Sequence, residues 1–203
     1  MATHSTDSRA PMAAAPMKYL PDGTVDWGNM WDTFCVLARD GGPPHRGTLL
    51  VGDPHGADTP AYRAAAAEIV RGIGLVSALD AAPAAPGWIA VRCASPGMAR
   101  WLAESIQQEN VDAQSDGALL LVPCAAHYTL KGEIKNVITA VAKTTHFWRE
   151  HLPPDVKRAL AAQDRLAAIV DRARAWLRLG ATPLRTTEAH SGSPAGQEPS
   201  PLI

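Results

Sequence analysis

The sequence predicts an α/β protein: a small two-layer βαβαββ sandwich followed by a long antiparallel helical hairpin, with an amphipathic helix ahead of it. Three observations predict this. Between residues 48 and 122, short apolar runs of strand length alternate with longer stretches of helical period. Two of the longer stretches open on a hydroxyl residue followed by proline, Thr59-Pro60 and Ser95-Pro96. There the hydroxyl caps the helix and the proline's missing N–H costs nothing. After residue 128 only helical periodicity remains, interrupted at Pro153-Pro154.

In chain order, residues 1–17 are Ala, Ser, Thr and Pro without a period and read as a disordered tail. Residues 18–47 begin with a turn ending at Gly23. A helix capped by Asp26 follows, with Trp27, Met30, Trp31, Phe34 and Leu37 on one side. That side is expected to dock on the core; an exposed partner-binding face is the alternative. Gly41 to Gly47 is a cluster of chain breakers.

The α/β core is expected over 48–128. Thr48 to Val51 reads as a short buried strand and Gly52 to Asp58 as a loop. The helix from Pro60 to about Ile73 presents Tyr62, Ala66, Ile69, Val70 and Ile73 to one side. Leu75 to Leu79 reads as a further strand or as the end of that helix, and Asp80 to Pro86 as a proline-stiffened connection. Trp88 to Cys93 alternates apolar residues at 89, 91 and 93, the mark of a half-buried strand. The helix begun at Ser95-Pro96 buries Met98, Trp101, Leu102 and Ile106. Residues 111–114 and 118–122 read as a hairpin turned at Asp116-Gly117. With 48–51 and 88–93 taken as parallel neighbours, the loop after one and the turn after the other share one rim of the sheet.

The helical hairpin spans 129–180. Thr129 is placed to cap its first arm, with Leu130, Ile134, Val137, Ile138, Val141, Thr145 and Trp148 in one stripe. The second arm runs from about Asp155 to Leu179, with Val156, Leu160, Leu166, Ile169, Val170, Ala173 and Leu177 inward. Its outer face is mildly basic. From Ala181 to Ile203 the composition is again that of a disordered tail.

Composition sets the outer limits. The chain has 203 residues, 46% of them apolar, within the size of one domain plus tails. A formal net charge of −1 gives no global field for nucleic acid or an anionic membrane, and neither is expected as a partner. No apolar run approaches a spanning helix, and the N-terminus has no secretory pattern. The 3 cysteines, an odd number without disulfide spacing, point to reduced thiols and a cytoplasmic setting. Abundant Ala and Arg suggest a high-GC bacterial gene. No internal repeat is evident, and the loop at Gly52 to Asp58 is neither a Walker motif nor a dinucleotide fingerprint, which leaves any cofactor unknown.

The order of elements resembles the compact fold of the TusA/SirA-like sulfur-carrier proteins. The similarity is best over 89–122: a strand, a proline-started helix, an acidic residue near the helix end, and a hairpin with Asp116-Gly117. That family carries Cys-Pro-x-Pro at the start of its first helix. Here the position reads Gly56 to Pro60 and holds no cysteine, so the persulfide role is not implied.

Four places carry chemistry-bearing residues. Cys93 lies at a strand end just before Ser95 and a helix N-terminus, whose positive dipole end lowers thiol pKa values and favours anions. Asp53 and His55 lie on the loop after residues 48–51, on the rim where ligands usually bind an open α/β sheet. Asp53, His55, Cys93 and Ser95 together therefore form an expected site for a small polar or anionic ligand. Cys124 and His127 are a candidate pair of metal ligands, to be completed to a tetrahedral zinc site by His146 or His151, or by Cys93. Lys143, His146 and Glu150 share one helix surface near His151.

These residues support three readings: an accessory or binding protein for a small polar ligand; an enzyme using Cys93 as nucleophile with His55 or His127 as base; or an interaction protein that meets a protein partner or a second copy through its helices.

Overall fold

A computed structural model describes residues 17–30 and 47–180. The expected tails lie outside the described residues, apart from Met17. So does the later part of the N-terminal helix with Trp31, Phe34 and Leu37.

The described elements are α1 (Pro60–Ser77), β1 (Ala81–Pro83), β2 (Trp88–Arg92), α2 (Pro96–Gln108), β3 (Gln114–Asp116), β4 (Leu119–Pro123), α3 (Lys135–His146) and α4 (Pro154–Gly180). Two π-helical turns, Leu130–Ile134 and Phe147–His151, flank α3. The protein thus mixes helices with a four-stranded sheet in the order β1-β2-β4-β3.

Every ladder in that sheet is antiparallel. This corrects the expected parallel pairing of 48–51 with 88–93. Only Leu50 of that segment bridges, in parallel, to Val111, with Leu50 N–H donating to Asn110 O and Asp112 N–H to Leu50 O. Leu49 and Val51 face solvent, at 53% and 52% exposure. Beside β2 the Ala-rich connection forms β1 instead, with Ala81 opposite Val91 and Pro83 opposite Ile89. The proline is tolerated because β1 is an edge strand. In the β2–β4 ladder Ile89 faces Val122 and Val91 faces Leu120, all fully buried.

The hydroxyl-proline starts form as read. Thr59 accepts from Tyr62 N–H and Ser95 from Met98 N–H. Leu75 to Ser77 proves to be helix, closed at Ala78 in the left-handed region (φ 52°) with its N–H on Gly74 O.

The protein core is organised on α3. Residues 134–145 are buried without a break, and α3 packs against both α1 and α2. Trp27 is fully buried beside α1, its indole N–H donating to Glu68 Oε1, and Arg71 joins Glu68 to the Val25 carbonyl. So the described start of the N-terminal helix docks on the core.

The first unit of the chain ends at Leu166; residues from Ala167 form a second unit. Of the residues expected inward on the second arm, Val156 and Leu166 in the first unit are instead 36% and 62% exposed; Ile169 and Val170, in the second, are 55% and 38% exposed. Within the first unit, the start of α4 is half-buried at Lys157, Leu160, Ala161 and Asp164.

The packing of α1 on α3 sets a test with opposite signs. A Cβ at Gly72 would lie 2.2 Å from Ile138 Cδ1 and 3.2 Å from Trp27 Nε1, whereas one at Gly74 meets nothing within 4 Å. Gly72→Ala is expected to lower the urea unfolding free energy by about 1 kcal/mol or more, overpacking outweighing helix propensity. Gly74→Ala, in the same helix, is expected to raise it by about 0.5–1 kcal/mol.

Candidate functional site

Backbone hydrogen bonds place the loop after Leu50 against the beginning of β2 and the end of β4. Asp53 N–H donates to Cys124 O (3.0 Å), Cys124 N–H to Gly87 O (2.9 Å), and Gly87 N–H to the Tyr62 hydroxyl (2.8 Å). Tyr128 Oη donates to Val51 O. Gly52 is required there, since a Cβ would sit 2.2 Å from the Gly87 carbonyl oxygen. Gly87 itself has φ +90°, a conformation glycine adopts freely.

On this rim Asp53 Oδ1 accepts from His55 N–H (2.9 Å) and meets His55 Nδ1 at 2.6 Å. The His55 backbone N–H, then its side chain, hold the Asp53 carboxyl below its ordinary pKa, with a smaller contribution from the charge of His127. His55 is 91% exposed and His127 lies on the surface, its ring edge-on to Tyr128. Asp53, His55 and His127 thus form a solvated acid–imidazole rim. An open, mostly apolar groove of about 530 Å³ adjoins it, lined by Ala57, Tyr62, Ala66, Val70 and Pro83.

Cys93 and Ser95 lie at the other end of the sheet. Cys93 N–H donates to Ala118 O, beside the β3–β4 turn, while Asp53 is tied to residues 87 and 124. From residue 87 to 93 an extended chain runs about 20 Å. The expected convergence of Asp53 and His55 with Cys93 and Ser95 is therefore corrected, and with it the shared rim. The reason is the sheet: β2 is bordered by β1 and β4, both antiparallel, so no parallel neighbour brings the two helix starts together.

Neither thiol is poised to react. Cys93 is 6% exposed and burial pushes its thiol up to about 11; Cys124 is fully buried and likewise pushed to about 11. The helix dipole does not overcome this, because desolvation penalises the thiolate more than one helix end favours it. Among the described residues no three His, Cys, Asp or Glu side chains converge as a metal site, so Cys124 and His127 gain no third ligand.

The positive end of α2 already has its anion. Gly97 N–H donates to Asp164 Oδ2 (2.7 Å), and Arg100 Nη2 lies 3.4 Å from Asp164 Oδ1. The carboxylate comes from α4, 67 residues away in sequence. Sequence reading found the anion-binding helix end and missed its occupant, because only three-dimensional packing brings Asp164 there.

At the polar end of α3, Lys143 pairs with Glu109 in the interior. His146 meets His151, with Nε2 to Nε2 at 3.3 Å. Phe147 stacks on Trp101 at 6.0 Å between ring centroids, and Trp148 lies 5.5 Å from the same indole.

The chain matches no family model, no curated protein and no solved structure.

Two outcomes are expected. In a Cys35→Ala background at neutral pH, Cys93 and Cys124 should react with a thiol reagent about a hundredfold more slowly in the folded protein than in urea, as their raised pKa values dictate. Equal rates would contradict the buried thiols. Asp164→Ala leaves Gly97 N–H and Arg100 without their carboxylate. It should lower stability by about 1–2 kcal/mol in a denaturant titration.

Proposed function

We propose that this chain is a non-catalytic interaction protein that associates with a second copy through α4. The observation that carries this is the solvent-facing apolar stripe of that helix: Leu166 is 62% exposed, Ile169 55% and Trp176 75%. With Ala159, Ala162 and Ala173 they recur at alternating steps of three and four, the spacing of a coiled-coil seam. A lone helix with such a stripe leaves apolar area in water that a partner helix removes at roughly 25 cal/mol per Å².

Charge placement favours a second copy in parallel. Arg158, Arg165 and Arg172 lie at a seven-residue interval along one border of the stripe. In an antiparallel pair these borders face each other and like charges meet; in a parallel pair each faces the opposite border, where Gln163 and Val170 stand. Two observations weigh against a Cys93-dependent enzyme and against an anion held at α2: the Cys93 thiol is buried, and Asp164 occupies the helix end. No helix among the described residues is long and apolar enough to cross a membrane.

Sedimentation velocity across a concentration series tests the reading. The full chain is expected to shift from monomer to dimer with rising concentration, and Ile169→Asp to remain monomeric with an unchanged core melting transition. A parent chain that stays monomeric at the highest attainable concentration, or an Ile169→Asp chain that dimerises equally, would overturn it.

A further inference from the structure

We propose that His146 and His151 form a two-imidazole chelate for a divalent late transition-metal ion, Zn²⁺ in the first instance, on the π-helical turn at the end of α3. The reading is independent of how α4 associates.

The backbone builds the pair. In an α-helix, residues five apart lie about 140° from each other around the axis, so their side chains diverge. Here the helix widens over Phe147–His151, and Leu152 N–H donates to Phe147 O (2.9 Å), five residues back. The wider turn brings His151 over His146, with ring centroids 5.1 Å apart and the two Nε2 atoms at 3.3 Å. Aromatic packing holds the turn: Phe147 stacks on Trp101 from α2, Trp148 leans on the same ring, and the His151 ring lies 5.6 Å from Phe147.

The distance is that of a chelate. Zinc–imidazole bonds of about 2.0–2.1 Å at a tetrahedral angle separate the two nitrogens by roughly 3.3–3.4 Å. The Nε2 atoms already stand at that separation, so a metal ion requires little rearrangement. Without metal, one ring must donate its Nε2–H to the other, and two protonated rings would oppose N–H to N–H. No third His, Cys, Asp or Glu among the described residues completes the set, so the remaining coordination positions face solvent and are left to water or a donor from another molecule. Imidazole donors of this kind suit Zn²⁺, Cu²⁺ and Ni²⁺ and not Mg²⁺ or Ca²⁺.

Isothermal titration of the full chain with ZnCl₂ alone tests the site, compared with His146→Gln, His151→Gln and a His55→Gln control from the acid–imidazole rim. The expected result is a single equivalent bound with Kd on the order of 10 μM, weakened about tenfold or more by either helix substitution and unchanged in the control. Imidazole ¹H–¹⁵N spectra of the parent give a reading that needs no variant: Zn²⁺ should shift the His146 and His151 ring nitrogens. Calcium should do neither. The proposal is overturned if Zn²⁺ does not bind below millimolar concentration, if binding survives both helix substitutions, or if the shifted rings are those of other histidines.

Discussion

α3 is buried over nearly its whole length, so the polar side chains it carries inward must find most of their partners inside the protein. Residues 134–145 are all buried, yet they include Lys135, Asn136, Thr139, Lys143, Thr144 and Thr145. Thr139 and Thr144 donate to carbonyls one turn back, at Lys135 and Ala140. Lys143 pairs with Glu109 at the end of α2. A buried charge left alone is strongly destabilising, so this pair fixes where the end of α2 lies against α3. The opposite side of α3 is held by apolar contact through Gly72, where α1 comes too close for any side chain. The polar side of α3 thus sets register and the apolar side sets distance.

Inside the first unit, the start of α4 is anchored where Asp164 answers the N–H group of Gly97. The interaction is the one usually expected of a bound anion at a helix start. Here the protein supplies the anion itself, and a helix end that looks like a ligand site is a structural joint. Further along α4 the apolar residues at 166, 169 and 176 are exposed.

The histidine pair and the acid–imidazole rim arise from different local rules. Asp53 and His55 are two residues apart, and the carboxylate holds the histidine by its own backbone N–H as well as its ring. That contact is local and needs little from the rest of the fold. His146 and His151 meet only because the helix departs from its ordinary pitch, and that departure is held by Trp101 from another helix.

Residue pattern alone determined the helices, their hydroxyl-proline starts, the strand at 88–92 and the hairpin around Gly117, because caps, turns and amphipathic periods are written within a few neighbouring residues. The hairpin strands lie within a few residues of their expected bounds, at 114–116 and 119–123. Tertiary structure alone decided which strands pair. Thr48 to Val51 and Ala81 to Pro83 are both short and weakly patterned, and the choice between them for the edge of β2 rests on contacts distant in sequence. The same holds for the site residues. Asp53 and Cys93 went to opposite ends of the sheet once β2 lay between antiparallel neighbours, and Asp164 found Gly97 across the fold. Local sequence fixes the direction in which a side chain leaves its own element; which group it meets depends on how whole elements pack, and no short window of residues contains that information.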